Sequence, residues 1–510
     1  LTVLGADFIF LTMKQILLTI LLSHVLPLSG QDKHDFIWLL GANPNKPEEN
    51  FGGTKIDFNK NPTEISYFDI PIDFFSIAMI SDTKGVLQFY TNSCEIVNRE
   101  HIIMSNGDSI NPGVYHDAFC GDNANIGYPL AQGVLALPIP NSNERYILFH
   151  YRREDTGEQK NLLYSLVNMN TPDSLGEVES KNQMLLTDFL ADMLTAVRHG
   201  NGRDWWILAP KTESQEGYLF LLTPTGIEGP FTKNMGQFWD YRGYNGHSVF
   251  SPNGLKYVRA NPWNGVRVAD FDRCTGVFSN EKVLPLDNDV EICGVAISPN
   301  SQYLYVSTGF KLFQYNLNAG NINASKKLVG EYDGFMSPLK TTFFQPMLAP
   351  DNKIYMTTTN DNNVLHVIHN PNENGLSCNF EQHGIILPTM HFNLAPNFPH
   401  FRLYDLPGSP CDTLGINGPV AVQEPGIGQV LSMSLTPNPA SESLTIGLPA
   451  AETGRVSIAD MTGKIWLSVT KAGGRPVFEV NIGHLPVGVY TVSFQSEAGY
   501  FVTKKLVVQR

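Results

Sequence analysis

The sequence predicts an all-β protein, a seven-bladed β-propeller followed by a small C-terminal β-sandwich. Three observations carry that reading. One hairpin is written three times at a nearly constant interval, one strand recurs seven times, and the last stretch turns into short alternating strands.

The hairpin comes first. FSPNGLKYV, ISPNSQYLYV and LAPDNKIYM each place an apolar run before a turn and a second run after it. Pro252, Pro299 and Pro350 lie 47 and 51 residues apart. Proline fixes φ on entry to such a turn, and Asn-Gly or Asp-Asn tolerates its tight end. The second strand can be followed upstream as FIWLLG at 36, FYTN at 89, YILFHY at 146 and WWILAP at 205. It continues as KYVRA at 256, YLYVS at 303 and KIYMTTT at 353. Further β-branched and aromatic runs follow most of these, such as YLFLLTP at 218 and VLHVIHN at 364. Repeats of about 40–50 residues holding three or four strands are the signature of propeller blades. Seven registers over 31–408 predict seven blades. The first register starts with its second strand, so FNLAPNFPHFRL (392–403) is expected to pair beside 36–41 and close the ring.

The flanks complete the organisation. Met13-Lys14 precedes ILLTILLSHVLPLSG, a positive residue, an apolar core and a small-residue end. Residues 1–30 therefore read as a signal-peptide region whose true start is Met13, cleaved before Gln31. The apolar stretch is short of the roughly 20 residues that a membrane helix needs. Residues 409–430 are Gly/Pro-rich without periodicity and read as a linker. Residues 431–510 alternate strands and turns closely enough for a small β-sandwich.

Charge and cysteines narrow the function. A net charge of -14 repels phosphate backbones, so nucleic acid is not an expected partner. Export makes disulfides available to the six cysteines. Three local pairs are expected: Cys94–Cys120, Cys274–Cys293 and Cys378–Cys411.

The tail resembles the C-terminal sorting domain of the type IX (Por) secretion system of Bacteroidota. The matching residues are Pro437-Asn438-Pro439, Gly463-Lys464, Leu485-Pro486-x-Gly488-x-Tyr490 and Lys504-Lys505. Thr436 stands where an aromatic residue commonly precedes the Pro-Asn-Pro. The resemblance implies export through the periplasm to the cell surface or the medium. It also implies contact with the secretion machinery, cleavage by a sortase-like peptidase, and release or attachment to outer-membrane lipopolysaccharide. The repeat region is similar to WD-repeat-like propellers of the same phylum, through YTNSCEI (90–96), HGNGRDWW (199–206), the SPNG series and QPMLAPDNKIYM (345–356). That family transfers a fold and a location, not a reaction.

Catalytic motifs are sparse. The sequence has no HExxH, GxSxG, P-loop or dinucleotide fingerprint. His366 and His369 fall on opposite faces of a strand. Asp270, Asp272, Asp287 and Asp289 are candidate calcium ligands without the glycine of an EF-hand loop, so no cofactor is expected. His199 and Asp204 flank one turn, as a base and its partner or as a hairpin lock. The loop GQFWDYRGYNGH (236–247) offers Trp239, Tyr241, Arg242 and Tyr244, with Trp263 after it. Such aromatic and polar mixtures stack on sugars or anchor protein partners, and they also fill gaps between blades. The expected role is non-catalytic recognition of a glycan or a protein. The rival is a glycan-processing or lactonase-like hydrolase with its site in the central channel.

Overall fold

The computed structural model describes residues 32–42, 50–121, 126–154, 159–240, 246–287, 290–414, 433–448, 453–460, 464–471, 477–496 and 501–510. The signal-peptide region lies outside them. The chain divides into two units, with the boundary between Pro419 and Val420.

Among the described residues the first unit holds seven antiparallel sheets of three or four strands, each strand bonded to its neighbour in sequence. In chain order their first strands are Ile37–Ala42, Ala78–Ser81, Val134–Pro138, Thr195–Arg198, His247–Phe250, Gly294–Ile297 and Phe343–Leu348. These strands are almost wholly buried, whereas an outermost strand such as Gly226–Trp239 is mostly exposed. Most sheets thus run from a dry inner strand to a wetter outer one, as in a β-propeller; the second is the exception, its last strand Ile96–Asn98 being buried.

The repeated hairpin joins the first two strands of sheets five, six and seven. Its fourth residue is left-handed each time: Gly254 at φ 71, Ser301 at 59 and Asn352 at 63. Space as well as φ demands glycine at the first. A Cβ on Gly254 would lie 2.7 Å from both Arg273 Cδ and Leu403 Cδ2. In the first two copies a serine closes the turn, Ser251 Oγ accepting from Lys256 N (2.9 Å) and Ser298 Oγ from Tyr303 N (2.8 Å).

Apolar faces of successive sheets pack on one another. Leu208 with Phe271 joins sheets four and five, Val268 with Val295 joins five and six, and Tyr305 with Met356 joins six and seven. The ring then closes on itself, because Trp38, Ile56 and Phe58 of the first sheet pack against Met347, Tyr355 and Leu365 of the last. Burial of this kind contributes roughly 25 cal/mol per Å² of apolar surface.

Closure does not use the expected strand. The first sheet has three strands, with Ile37–Ala42 paired only to Gly52–Asp57, and 392–403 pairs beside none of them. The reason is in the segment itself. Pro396 and Pro399 lack the amide donors of a ladder strand, so the chain stays extended but unpaired.

The disulfides also depart from expectation. Cys94–Cys120 forms, but Cys274 bonds Cys411, 137 residues away. Cys293 and Cys378 carry buried thiols instead. Cys274 precedes the fourth strand of sheet five, Val277–Leu284, and Cys293 follows it. Eight strand residues span about 27 Å at 3.3–3.4 Å each, far beyond the roughly 7 Å Cα limit of a disulfide. The bond to Cys411 also draws 409–414, expected as linker, onto the propeller.

The second unit is a sandwich of two sheets. One contains Ser434–Thr436, Ser443–Gly447 and Val477–Asn481, the other Gly454–Asp460, Ile465–Lys471, Gly488–Ser496 and Phe501–Val508. Leu444, Ile446, Val456, Ile458, Val492 and Leu506 fill its core.

Candidate functional site

A propeller's first candidate site is its axis, and here the chain fills its own axis. Past the last strand, residues 392–406 cross the middle of the ring. Asn397 is the hub. Its Nδ2 donates to the carbonyls of Val134 (2.8 Å) and Leu194 (2.9 Å), and its Oδ1 accepts from Gln132 Nε2 (3.1 Å). Gln132 in turn bonds the backbone of Ser248 in both directions. Ala395 N donates to Gln345 Oε1 at 3.0 Å. Sheets three, four, five and seven are thereby tied to this stretch through the carboxamides of Asn397, Gln132 and Gln345.

Lower down, rings and charges take over. Phe401 is fully buried against Trp205 and His34. The Arg402 guanidinium grips both oxygens of Asp35, with Nη2 to Oδ2 at 2.9 Å. Arg198 pairs with Asp32 at 3.0 Å, and Arg273 donates to the carbonyls of Arg198, His199 and Tyr404. Leu406 N reaches Gly200 O at 2.8 Å.

The segment therefore packs the axis with hydrogen-bonded and ion-paired side chains. One cavity at the axis, of ≈ 60 Å³, is bounded by Thr195, His247, Ala296, Met347, Phe398 and His400. That holds a few waters, whereas ligand pockets run to about 300–1,000 Å³. Burial pushes His247 down to about 4 and His400 to about 3, the latter aided by Arg402 and Arg273. Burial likewise draws Arg273 down to about 10.

One constellation has the geometry of a nucleophilic triad. His150 Nε2 lies 3.0 Å from Ser165 Oγ and Nδ1 lies 2.6 Å from Asn111 Oδ1. All three residues are fully buried, and Ser165 Oγ also accepts from Asn182 N at 3.1 Å. No substrate reaches such a hydroxyl. The trio instead pins the long insertion after the second sheet to the third sheet. Desolvation holds His150 near 3, a neutral imidazole donating from Nδ1.

The residues singled out in the sequence separate. Trp239 is 2% exposed, under the Arg259 guanidinium at 4.4 Å and against Ala191 and Met193. As a surface ligand platform it is corrected to a packing residue, because the cation and the neighbouring loop cover its ring. Trp263 is 49% exposed on the hairpin after Asn261. Tyr241, Arg242 and Tyr244 lie outside the described residues. His199 and Asp204 do not bond through their side chains. His199 meets Cys274 O and Asn201 N, while Asp204 accepts from Asn201 and Arg203. Asp270 pairs with Lys256 at 2.7 Å, Asp272 caps its own turn through Thr275 and Cys274, and Asp289 lies outside the described residues.

Sequence reading missed a groove of ≈ 430 Å³ between sheets five and six, whose polar lining is Lys256, Asp270, Asn280, Lys282, Asn321 and Asn323. No motif marks it, since two repeats contribute to it.

In the second unit the motif residues are mostly structural. Asn438 donates from Nδ2 to Lys505 O (2.7 Å) and accepts from Val507 N (2.9 Å), fastening the last strand. Tyr490 is buried with its hydroxyl on Pro486 O at 2.7 Å. Gly488 opens that strand, Gly463 lies outside the described residues, and Lys504 and Lys505 face solvent. Residues 434–509 match the family described as secretion system C-terminal sorting domain. The C-terminal unit is a sorting domain. It marks proteins that the type IX system delivers to the cell surface or beyond, and this protein belongs there.

No curated protein sequence matches the chain. Among solved structures it is similar to a protein of unknown function from Desulfotomaculum acetoxidans (12% identity, TM-score 0.34, 71% of this chain and 99% of that one). It is also similar to a putative 6-phosphogluconolactonase from Bacteroides fragilis (10%, TM-score 0.38, 70% and 96%). The propeller of Dos1 is a third (11%, TM-score 0.34, 71% and 87%). Among the described residues no helix is long and apolar enough to cross a membrane.

Proposed function

We propose that this is an exported recognition protein of a Bacteroidota bacterium, a seven-bladed propeller that binds a glycan or a protein without chemistry or cofactor. Its sorting domain is read by the type IX machinery and cut off near the linker by a sortase-like peptidase. The mature propeller is then released or joined to surface lipopolysaccharide. The observation that carries this reading is the filled axis. Residues 394–406 occupy the place where a channel hydrolase would hold its substrate, and the cavity beside them measures ≈ 60 Å³. Binding then falls to the loops and grooves of the surface, where Trp263 is exposed.

The test has two arms. A chain ending at residue 414 should fold, yet stay in the periplasm, while 433–510 fused to another exported protein should carry that protein to the surface. On a glycan array the wild-type propeller should bind at least one glycan. Surface display of the truncated chain would remove the export reading. Hydrolysis of any bound glycan would favour the hydrolase.

A further inference from the structure

The groove between sheets five and six has the chemistry of a binding site for an acidic sugar. It lies on described residues of two adjacent repeats. Val268 and Leu284 of sheet five and Leu317 and Ile322 of sheet six supply apolar walls. Over them stand two ammoniums, one carboxylate and three carboxamides. The charges do not cancel. Lys256 Nζ is taken by Asp270 Oδ1 at 2.7 Å, and Asn280 Nδ2 donates to Asp270 Oδ2 at 2.9 Å. Against the raising effect of burial, these two hydrogen bonds and the charges of Lys256 and, more weakly, Lys282 hold the Asp270 carboxyl below the usual range. Lys282 faces the same groove and forms no ion pair or hydrogen bond among the described residues. One positive charge is left over, on a chain whose net charge is -14.

The backbone aims these groups. The pairing of the third and fourth strands of sheet five shifts register between Val268 and Asp270, and Asn280 sits at φ 53. Asparagine tolerates that left-handed conformation, and a bulge redirects the side chains around it. Opposite, Asn321 Oδ1 accepts from Ala324 N at 3.1 Å, capping its own turn, and Asn321 lines the groove.

We infer that this groove binds a carboxylated saccharide, a uronic-acid unit of an anionic polysaccharide. Lys282 meets the carboxylate, and Asn280, Asn321 and Asn323 meet hydroxyls. Carboxamides carry donor and acceptor side by side and so match a hydroxyl, which donates and accepts. The backbone amides of an acidic peptide offer the same donor and acceptor pair, so polyglutamate is the control that separates peptide from sugar. The groove volume is within the range of about 300–1,000 Å³ usual for ligand sites. The inference rests on the recognition reading and names its ligand class.

The probe is an oligogalacturonide, compared with a neutral oligosaccharide of equal length and with polyglutamate, each titrated into the full chain. The oligogalacturonide should bind alone among the three, and more weakly as salt is raised. Lys282→Ala and the pair Asn321→Ala/Asn323→Ala should each weaken it roughly tenfold, the worth of one or two hydrogen bonds to a charged or polar partner. These side chains are exposed, so thermal melting should stay at the wild-type value and show the variants folded. Absent binding, binding unchanged in both variants, or equal binding of either control would overturn the inference. Array binding that survives these variants would leave the recognition reading standing and remove only this groove.

Discussion

The axis and the rim of the propeller are built from opposite materials. Along the axis Asp35 pairs with Arg402 and Asp32 with Arg198, and burial holds His247 and His400 toward the neutral form. At the rim, between sheets five and six, Lys282 lines an open groove with no hydrogen bond or ion pair from its ammonium among the described residues. Buried ion pairs cost about as much in desolvation as they return. Their value here is in fixing one extended segment against several sheets at once. The axis is thus a device for closing the ring, and the rim is where a ligand can be met.

If that division is right, the largest effect should come from the axial segment. A chain lacking 392–414 loses Phe401, the Asn397 hub, the Arg402 pair and the Cys411 bond together. It should show no cooperative melting by circular dichroism. A cooperative transition near the wild-type temperature would mean the ring closes by sheet packing alone.

Next comes Cys274→Ser with Cys411→Ser. A loop of 137 residues restricts the unfolded chain, and its release should cost about 5 kcal/mol in denaturant unfolding. Cys94→Ser with Cys120→Ser, closing 26 residues, should cost less, about 3–4 kcal/mol. The reverse order would place the main staple in the insertion rather than on the axis.

Acid should act on the buried histidines of the propeller before the rim. His150, His247 and His400 titrate near 3, 4 and 3 in the fold against 6.5 ordinarily. Between those values the unfolded chain binds more protons, so stability is full above pH 6.5 and falls as pH drops toward 3–4. Each buried histidine should cost about 2 kcal/mol by pH 5, at 1.36 kcal/mol per pH unit. His150→Gln should flatten part of that slope in melts between pH 7 and 5; an unchanged slope would remove His150 as a source.

The smallest effects belong to the rim. Trp263→Ala should change stability by no more than about 0.5 kcal/mol, as exposed substitutions do. Chelation with EDTA should leave the melting temperature where it was, and a shift would bring back the calcium ligands considered at Asp270 and Asp272.

The blades were legible in the sequence because the hairpin chemistry is local. SPNG, SPNS and APDN each need a left-handed fourth residue, and each supplies one. The sorting tail was legible by its resemblance to known sorting domains, not by local chemistry, since Asn438 meets Lys505 and Val507, 67 and 69 residues on, only in the fold. The axial segment was not. Its prolines hide it from any strand pattern, and Asn397 finds Val134 and Leu194 only through the fold. Cys411 likewise meets Cys274 across 137 residues that hold sheets six and seven. Trp239 looked like a ligand platform because sequence cannot show Arg259 lying over its ring. Ser165, His150 and Asn111 come from three separate stretches, and so does the groove lining.

Hydrogen exchange of residues 394–406 in the full, oxidised chain tests the central claim most directly. The amides of Ala395 and Leu406 are hydrogen-bonded across the ring, and peptides containing them should exchange as slowly as those of the first strands Thr195–Arg198 and Gly294–Ile297. Exchange at the rate of exposed loops would mean an open axis, and would return the central channel to candidacy as the site of function.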